Sequence, residues 1–168
     1  MNVLIRKWKE EDAARLALLA NNKKIADHLR DRFPYPYQLQ DAEQWIRLQK
    51  EKVPVLNFAI DADEQLAGAC GILLKEDVYR HSAEIGYWIG EPFWGRGIAT
   101  AAISQLLEHL QKEFSGICRI YAEVFDCNTP SMRVLEKNGF VLECTRKKAV
   151  IKNNTIIDDH VWVLFPGH

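Results

Sequence analysis

The sequence AEIGYWIGEPFWGRGIATAA, at residues 83–102, decides the fold. Ala83–Gly90 is apolar at successive positions, which predicts a buried strand. A Glu-Pro pair ends that strand, and Gly95-Arg96-Gly97 follows where the chain turns. Apolar residues then recur with helical period over Ile98–Lys112, which predicts a long amphipathic helix. A glycine turn at a helix N-terminus presents backbone N–H groups at the positive end of the helix dipole, so this stretch favours an anion such as pyrophosphate.

Length and composition indicate one globular domain that covers residues 1–168. The chain is 48% hydrophobic and 27% charged, with a net charge of −1, so it can bury a substantial core. Lys and Arg are scattered, which argues against nucleic acid as a partner. No apolar run is long enough to cross a membrane, and MNVLIRKWKEED at the N-terminus lacks the features of a signal peptide. We therefore expect a cytoplasmic protein.

The four cysteines predict no metal site. Cys70, Cys118, Cys127 and Cys144 are far apart, have no CxxC spacing and have no nearby His at ligand spacing. Most lie inside apolar segments, which predicts buried, reduced thiols.

The pattern of the remaining chain predicts an α+β fold. Two local signals mark helix starts: Asp41 and Gln44 resemble a capping box, and Thr129 precedes Pro130 as a candidate N-cap. The predicted elements are strand Val3–Trp8, helices Glu10–Ala20, Lys23–Arg30 and Asp41–Lys52, strands Val55–Ile60, Leu66–Leu74 and Ala83–Gly90, helix Ile98–Lys112, strand Cys118–Phe125, a helix from Thr129 to Asn138, and strands Phe140–Ile151 and Thr155–Leu164. This order predicts a mixed, mostly antiparallel sheet of about seven strands with a central parallel βαβ step and flanking helices.

Several kinds of site can use such a glycine turn. The turn lacks the Gly-Lys-Ser/Thr ending of a P-loop. It also follows a predicted antiparallel meander and has Thr100 where a dinucleotide fingerprint needs its third glycine. A turn without a ligand is the plain alternative, because turns need glycine more often than phosphates do.

A second block, EVFDCNTPSMRVLEKNGF at residues 123–140, favours a ligand-binding turn over a turn without a ligand. Together with EIGYWIGEPFWGRGIATAA at residues 84–102, in this order and at this separation, it resembles the GCN5-related N-acetyltransferase (GNAT) family and its RimJ/RimL-like branch. The resemblance covers most of the chain. It implies the GNAT fold, with acetyl-CoA as co-substrate and no metal.

The resemblance also implies a set of cofactor-binding residues. Backbone N–H groups of Gly95, Arg96, Gly97, Ile98 and Ala99 would bind the pyrophosphate, with Thr100 at the helix start. The central strands would separate after Trp88, and pantetheine would pair with Trp88, Ile89 and Gly90. Asn128 matches the asparagine that contacts the pantetheine arm.

The sequence departs from the wider family at two positions. Trp94 stands where Gln or Arg is usual, although Arg96 keeps a cation nearby. Leu135 stands where a tyrosine often acts as the general acid, and a leucine has no proton to donate. In the RimL-like branch a serine has that role, and the matching residue is Ser131. A serine is also common in the first turn of a helix for purely structural reasons.

Acetyl transfer to an amine needs a proton acceptor, a polarised thioester oxygen and a proton for the departing thiolate. The candidate bases, in order of preference, are Glu91, Glu84 and His160. Glu91 matches an acidic residue of the RimL-like branch, and its plain alternative is a solvated loop acid. We interpret Cys127 as a spectator thiol, because the transfer needs no covalent enzyme intermediate.

The acceptor side has fewer signals. Tyr35 and Tyr37 are candidate walls of a substrate pocket, and packing on the core is an equally good interpretation. Asp158 and Asp159 could attract a cationic amine, but acids near a turn are more often solvated.

These observations predict an acetyl-CoA-dependent N-acetyltransferase that acts on a primary amine. The resemblance favours a protein or peptide α-amino group. The alternatives are a small-molecule amine (polyamine, aminoglycoside or amino acid) and a non-catalytic acyl-CoA-binding domain on the same fold. A homodimer is compatible with the sequence.

Overall fold

The structure is a computed structural model that describes residues 1–167. Within these residues, seven strands and five α-helices follow one another in the predicted order. Their bounds are β1 Val3–Arg6, α1 Ala13–Ala20, α2 Lys23–Ala26, α3 Leu39–Lys50, β2 Asn57–Ala62, β3 Gln65–Leu74, β4 Ser82–Ile89, α4 Ile98–Glu113, β5 Arg119–Phe125, α5 Thr129–Lys137, β6 Val141–Lys152 and β7 Thr155–Leu164.

The strands form one seven-stranded sheet in the order β1-β2-β3-β4-β5-β7-β6. One neighbouring pair, β4 and β5, is parallel, and α4 connects the two strands as the crossover helix that a parallel pair requires. Their ladder runs from Ser82–Arg119 to Glu84–Tyr121, although β4 continues to Ile89. The predicted α+β fold with its parallel step is confirmed.

The first of two compact units contains Met1–Gly71 and Tyr87–Ala102. Here β1 pairs antiparallel with β2, and β2 with β3. A tight turn at Asp63 and Glu64, both at positive φ, joins β2 to β3, as a two-residue hairpin turn requires. Helices α1 and α3 pack together, because each presents an apolar face that includes the almost fully buried Leu16 and Ile46.

The second unit contains Ile72–Gly86 and the chain from Ile103 onward. β7 pairs antiparallel with β5 on one side and with β6 on the other. Asn153 and Asn154 form the β6–β7 turn at positive φ, a conformation that Asn tolerates well.

The apolar face predicted for the long helix α4 is confirmed. The buried residues of this face are Ile98, Ala102, Ile103, Leu106, Leu107 and Leu110. Their spacing is the i, i+4 and i+3 pattern of one helix stripe.

Three local predictions were wrong. Helix α3 begins at Leu39, and its capping box joins Gln38 to Asp41 rather than Asp41 to Gln44. The N-cap of α5 is Asn128, not Thr129. The Glu10–Ala20 segment divides into a 3-10 turn at Glu10–Asp12 followed by α1.

The prediction of buried thiols holds for Cys70 alone. Burial raises the pKa of the Cys70 thiol well above its ordinary value. Cys118, Cys127 and Cys144 are exposed, and no disulfide links the cysteines within the described chain. The prediction failed because these three residues lie at strand starts, turns and the edge strand β6 rather than under a helix.

Candidate active site

The glycine turn lies between a 3-10 turn at Glu91–Phe93 and the start of α4. Gly95 has φ +73° and Gly97 has φ +75°, and a Cβ on either residue would meet no atom within 4 Å. Both positions therefore need glycine for its backbone conformation rather than for space. The backbone of Ala101 donates to the Gly97 carbonyl at 3.1 Å, so the N–H groups of Ile98 and Ala99 precede this first helical bond.

The positive φ of Gly97 leads to a prediction for Gly97→Val. A β-branched residue costs roughly 1–2 kcal/mol or more in the left-handed region, so the turn should open and move its N–H groups. We expect the Kd for CoA to rise at least about 10-fold, as measured by isothermal titration calorimetry. Gly116→Val is the matched control, because Gly116 does not have a positive φ. An unchanged Kd for Gly97→Val would show that the turn does not hold the cofactor.

At the end of β4, the backbone N–H and C=O groups point alternately toward β3 and away from it. The Gly90 N–H donates to the Ala67 carbonyl of β3 at 2.8 Å, and the Trp88 carbonyl lies against Gly68 of the same strand. Because successive residues of a strand alternate in direction, the N–H and C=O of Ile89 point away from β3. The Trp94 indole N–H donates to this Ile89 carbonyl at 2.7 Å. Trp94, an unusual residue at its position, thus holds the strand end to the turn.

Glu91 is held by the start of α2. Asn22 caps α2 by accepting from the Lys24 N–H at 2.9 Å, and its side-chain amide donates to Glu91 Oε2 at 2.6 Å. Lys24 Nζ forms an ion pair with Glu91 Oε1. The hydrogen bond from Lys24, followed by that from Asn22, lowers the pKa of the Glu91 carboxyl below its ordinary value. Glu91 is therefore an ionised acid that is anchored by two partners, and its side chain is 38% exposed.

Sequence reasoning did not identify Asn22 and Lys24. The one signal for Asn22 was its residue type, because Asn before a short helical segment is a common N-cap. Its bond to Glu91 joins residues that are 69 positions apart, and no local pattern predicts such a contact.

An aromatic cluster lies beside Trp88. The Phe33 ring packs edge-on against Trp88 at 5.8 Å between centroids and against Tyr37 at 5.2 Å. The Asn21 side chain fixes this segment by accepting from the Tyr37 N–H at 3.0 Å. Tyr37 is only 7% exposed, and burial raises its pKa to about 12, whereas Tyr35 is 53% exposed. Of the two tyrosines, only Tyr35 presents most of its surface to a ligand.

In the second unit, Glu84 of β4 lies beside Lys75, the residue that follows β3. Lys75 Nζ is 3.1 Å from Glu84 Oε2 and 5.5 Å from the centroid of the Tyr121 ring on β5. The Glu84 side chain is 13% exposed. Hydrogen bonds from Lys75 to Tyr121 and to Glu84 raise the pKa of the lysine. This carboxylate is therefore part of a cluster with Lys75 and Tyr121.

Asn128 and Ser131 are brought together at the start of α5. The Asn128 side-chain oxygen accepts from the Ser131 backbone N–H at 3.4 Å. This bond uses the serine backbone and not its hydroxyl. Leu135, one turn further along α5, is completely buried, so the position usually occupied by a tyrosine faces the core.

Leu135→Tyr tests that conclusion. A tyrosine is larger than the leucine that it replaces, and overpacking a filled core costs typically 1–3 kcal/mol. We expect the free energy of unfolding to fall by about this amount in urea titrations, with no gain in kcat. A variant of unchanged stability and higher kcat would mean that the position reaches the reacting atoms. Leu18→Tyr is the control, because Leu18 is 69% exposed.

The two acids at the last hairpin have different environments. Asp159 is 2% exposed and forms an ion pair with Arg146, which also lies 3.0 Å from Glu123. The view of Asp159 as a solvated turn acid was wrong, because Arg146 is its cross-strand partner on β6. Asp158 accepts from Lys147 Nζ and from the Lys148 N–H, both at 2.8 Å, and Lys147 lowers its pKa.

The third-ranked base, His160, lies on β7 opposite Val124. Its Nδ1 atom is buried and has no hydrogen-bond partner in residues 1–167. Over the same residues, no group of three or more His, Cys, Asp or Glu side chains is arranged to hold a metal ion. None of the described helices is long and apolar enough to cross a membrane.

Comparisons with known proteins agree with this fold. The family model of the acetyltransferase (GNAT) domain matches residues 2–141. The ribosomal-protein-serine acetyltransferase of Escherichia coli (strain K12) is 32% identical over 108 residues, which are 62% of this chain and 58% of that protein. The L-amino acid N-acetyltransferase AaaT of the same organism is 31% identical over 78 residues, 46% of this chain and 48% of that protein. The chain thus aligns with about half of the length of these two relatives.

Among solved structures, a RimL ribosomal L7/L12 alpha-N-protein acetyltransferase in complex with coenzyme A superposes with a TM-score of 0.85. The two chains are 22% identical, and the match covers 98% of this chain and 94% of the RimL chain. Since the family model covers most of the chain and the sheet has this form, the chain belongs to the GNAT acetyltransferase family.

Proposed function

We propose that the protein transfers the acetyl group of acetyl-CoA directly to the α-amino group of a protein or peptide. The observation that carries this proposal is the glycine turn at the start of α4 with Glu91 anchored at its edge. The similarity to a ribosomal-protein-serine acetyltransferase supports the acceptor class. We also propose that the protein works in the cytoplasm.

The donor set fits the phosphates of CoA. Backbone N–H groups of Gly95, Arg96, Gly97, Ile98 and Ala99 bind the pyrophosphate in this proposal, with Thr100 in the first helical turn. Both glycines leave open space above the turn, and the start of the 16-residue α4 favours negative charge.

The pantetheine arm extends along the end of β4, against Trp88, Ile89 and Gly90. The Ile89 N–H, which points away from β3, is the donor that we assign to the thioester oxygen. A fixed backbone N–H needs no reorganisation as negative charge develops on that oxygen. Asn128 contacts the arm from the start of α5.

Three side chains supply the proton transfers. Glu91 accepts a proton from the attacking amine through water, because its lowered pKa keeps it ionised. Ser131 donates a proton to the departing thiolate. Glu84, whose carboxylate lies 3.1 Å from Lys75 Nζ, is the alternative base to Glu91.

Tyr35 forms one wall of the acceptor pocket in this proposal. The buried Tyr37 supports this wall from the protein interior. Tyr35 lies two residues after Phe33, which packs on Trp88. The aromatic wall therefore lies in the same unit as the strand end that we assign to pantetheine.

Mass spectrometry after incubation with labelled acetyl-CoA and a mixed panel of peptides and small amines tests the proposal. We expect label on peptide α-amino nitrogens, and none on peptides with a blocked N-terminus. Tight CoA binding without acetylation of any panel member would instead indicate an acyl-CoA sensor.

Acetylation of free amino acids is a second candidate, favoured by the similarity to L-amino acid N-acetyltransferase AaaT. The same panel separates the two candidates, because free amino acids and peptides give products of different mass. A homodimer remains part of the proposal and is tested by the molecular mass in solution.

A further inference from the structure

Two arginines lie against one buried ring beside the glycine turn. The guanidinium carbon of Arg96 is 5.8 Å from the centroid of Phe93, and that of Arg15 from α1 is also 5.8 Å away. Phe93 is 7% exposed. Both cations are within the usual range of a cation–π contact, so the ring fixes where they lie.

This corner of the first unit has an excess of positive charge. Neither arginine forms an ion pair within 4.0 Å in the part of the chain that the structure describes. Asp12, three residues before Arg15, is bound to Arg6, and Glu91, five residues before Arg96, is bound to Lys24. The positive end of α4 adds to the charge of the two arginines. An anion that contacted both guanidinium groups would be held by two positive charges.

We propose that Arg15 is a second cationic contact of the acetyl-CoA pyrophosphate, acting together with Arg96. Arg15 lines an open cavity of about 420 Å³ with Glu91 and Pro92, so a ligand can reach its side chain. A guanidinium can bind two phosphate oxygens at once while its flat face stays on the Phe93 ring. The Glu91 carboxylate in the same cavity wall is already neutralised by Lys24 and does not compete for Arg15.

The pyrophosphate is the part of CoA that this position fits. Phe93 lies two residues before Gly95, where the chain turns toward the N–H groups at the start of α4. The two negative charges of a pyrophosphate match the two unpaired arginines. This assignment rests on acetyl-CoA as co-substrate and not on the identity of the acceptor.

Calorimetric titration of CoA and of 3′-dephospho-CoA into wild type, Arg15→Gln and Arg15→Lys tests the proposal. Arg47→Gln is the matched control, because it removes the same charge from an exposed position of α3 in the same unit. We expect Arg15→Gln to raise the Kd for CoA about 10-fold and to reduce the dependence of Kd on salt concentration. Arg15→Lys should recover part of the affinity, and Arg47→Gln should have no effect.

The dephospho-CoA titration separates the two phosphate sources. If Arg15 binds the pyrophosphate, Arg15→Gln weakens CoA and dephospho-CoA by the same factor. A loss confined to CoA would place Arg15 on the 3′-phosphate and overturn the assignment. A Kd within twofold of wild type for both ligands, with a lower Tm, would show that Arg15 only packs on Phe93. None of these results depends on acetyl transfer, so they are independent of the test of the proposed function.

Discussion

Glu91→Gln is expected to lower kcat about 100-fold, within the range that a general base contributes. Gln keeps the size of the side chain, and its one carbonyl oxygen can accept from Lys24 or from Asn22, but it cannot accept a proton. The Kd for CoA should therefore stay within about twofold of wild type. Initial rates with a peptide acceptor and calorimetry with CoA measure the two quantities. Glu11→Gln is the control, because it removes an exposed acid from the same unit.

The pH dependence gives this prediction a second readout. Lys24 and Asn22 lower the pKa of Glu91, so the acid limb of kcat/KM that belongs to Glu91 should lie below the ordinary glutamate value of about 4.3. Lys24→Met should shift this limb to higher pH. The same shift makes Glu91 stabilise the folded state above the pKa that it has in the unfolded chain. This contribution to the free energy of unfolding is lost as pH falls through the lower pKa of the folded state. Equal turnover of wild type and Glu91→Gln at every pH would refute the assignment.

Ser131→Ala is expected to lower kcat about 100-fold, because the departing thiolate loses its proton donor. The Asn128 cap should persist, since it uses the Ser131 backbone N–H. The KM for acetyl-CoA and the Tm should therefore stay close to wild type. Steady-state kinetics and thermal unfolding test these expectations. Ser131→Thr keeps a hydroxyl and should recover part of the rate, and Ser104→Ala at an exposed position of α4 is the control.

A different result for Ser131→Ala would identify another proton donor. If kcat is unchanged while the Tm falls, the hydroxyl has a structural role in the first turn of α5. Leu135 cannot take over the role, because its side chain is completely buried and has no proton to donate.

The fold could be predicted from the sequence because its signals are local. The apolar stripe of α4, the turn residues Asn153-Asn154 and the strand before Glu91 each have a periodic or compositional signal within a short window. The helix starts were less certain, since Asn128 and Thr129 are adjacent and both are good N-caps. In the structure Asn128 is the N-cap, because its side-chain oxygen accepts from the Ser131 N–H.

The partners of the site residues could not be predicted in the same way. Lys24 and Glu91 are 67 positions apart, and Arg15 meets Phe93 from a different helix. Such contacts depend on how the elements pack, and sequence periodicity contains no information about a partner on another element. The burial of Asp159 was missed for the same reason, because its partner Arg146 lies on the neighbouring strand β6.

A crystal structure of the protein with bound CoA tests the central claim most directly. We predict that pyrophosphate oxygens lie within hydrogen-bond distance of the backbone N–H groups of residues 95–99, with the pantetheine arm along Trp88–Gly90. Density for the pyrophosphate at any other surface, with these N–H groups bound only to water, would contradict the account.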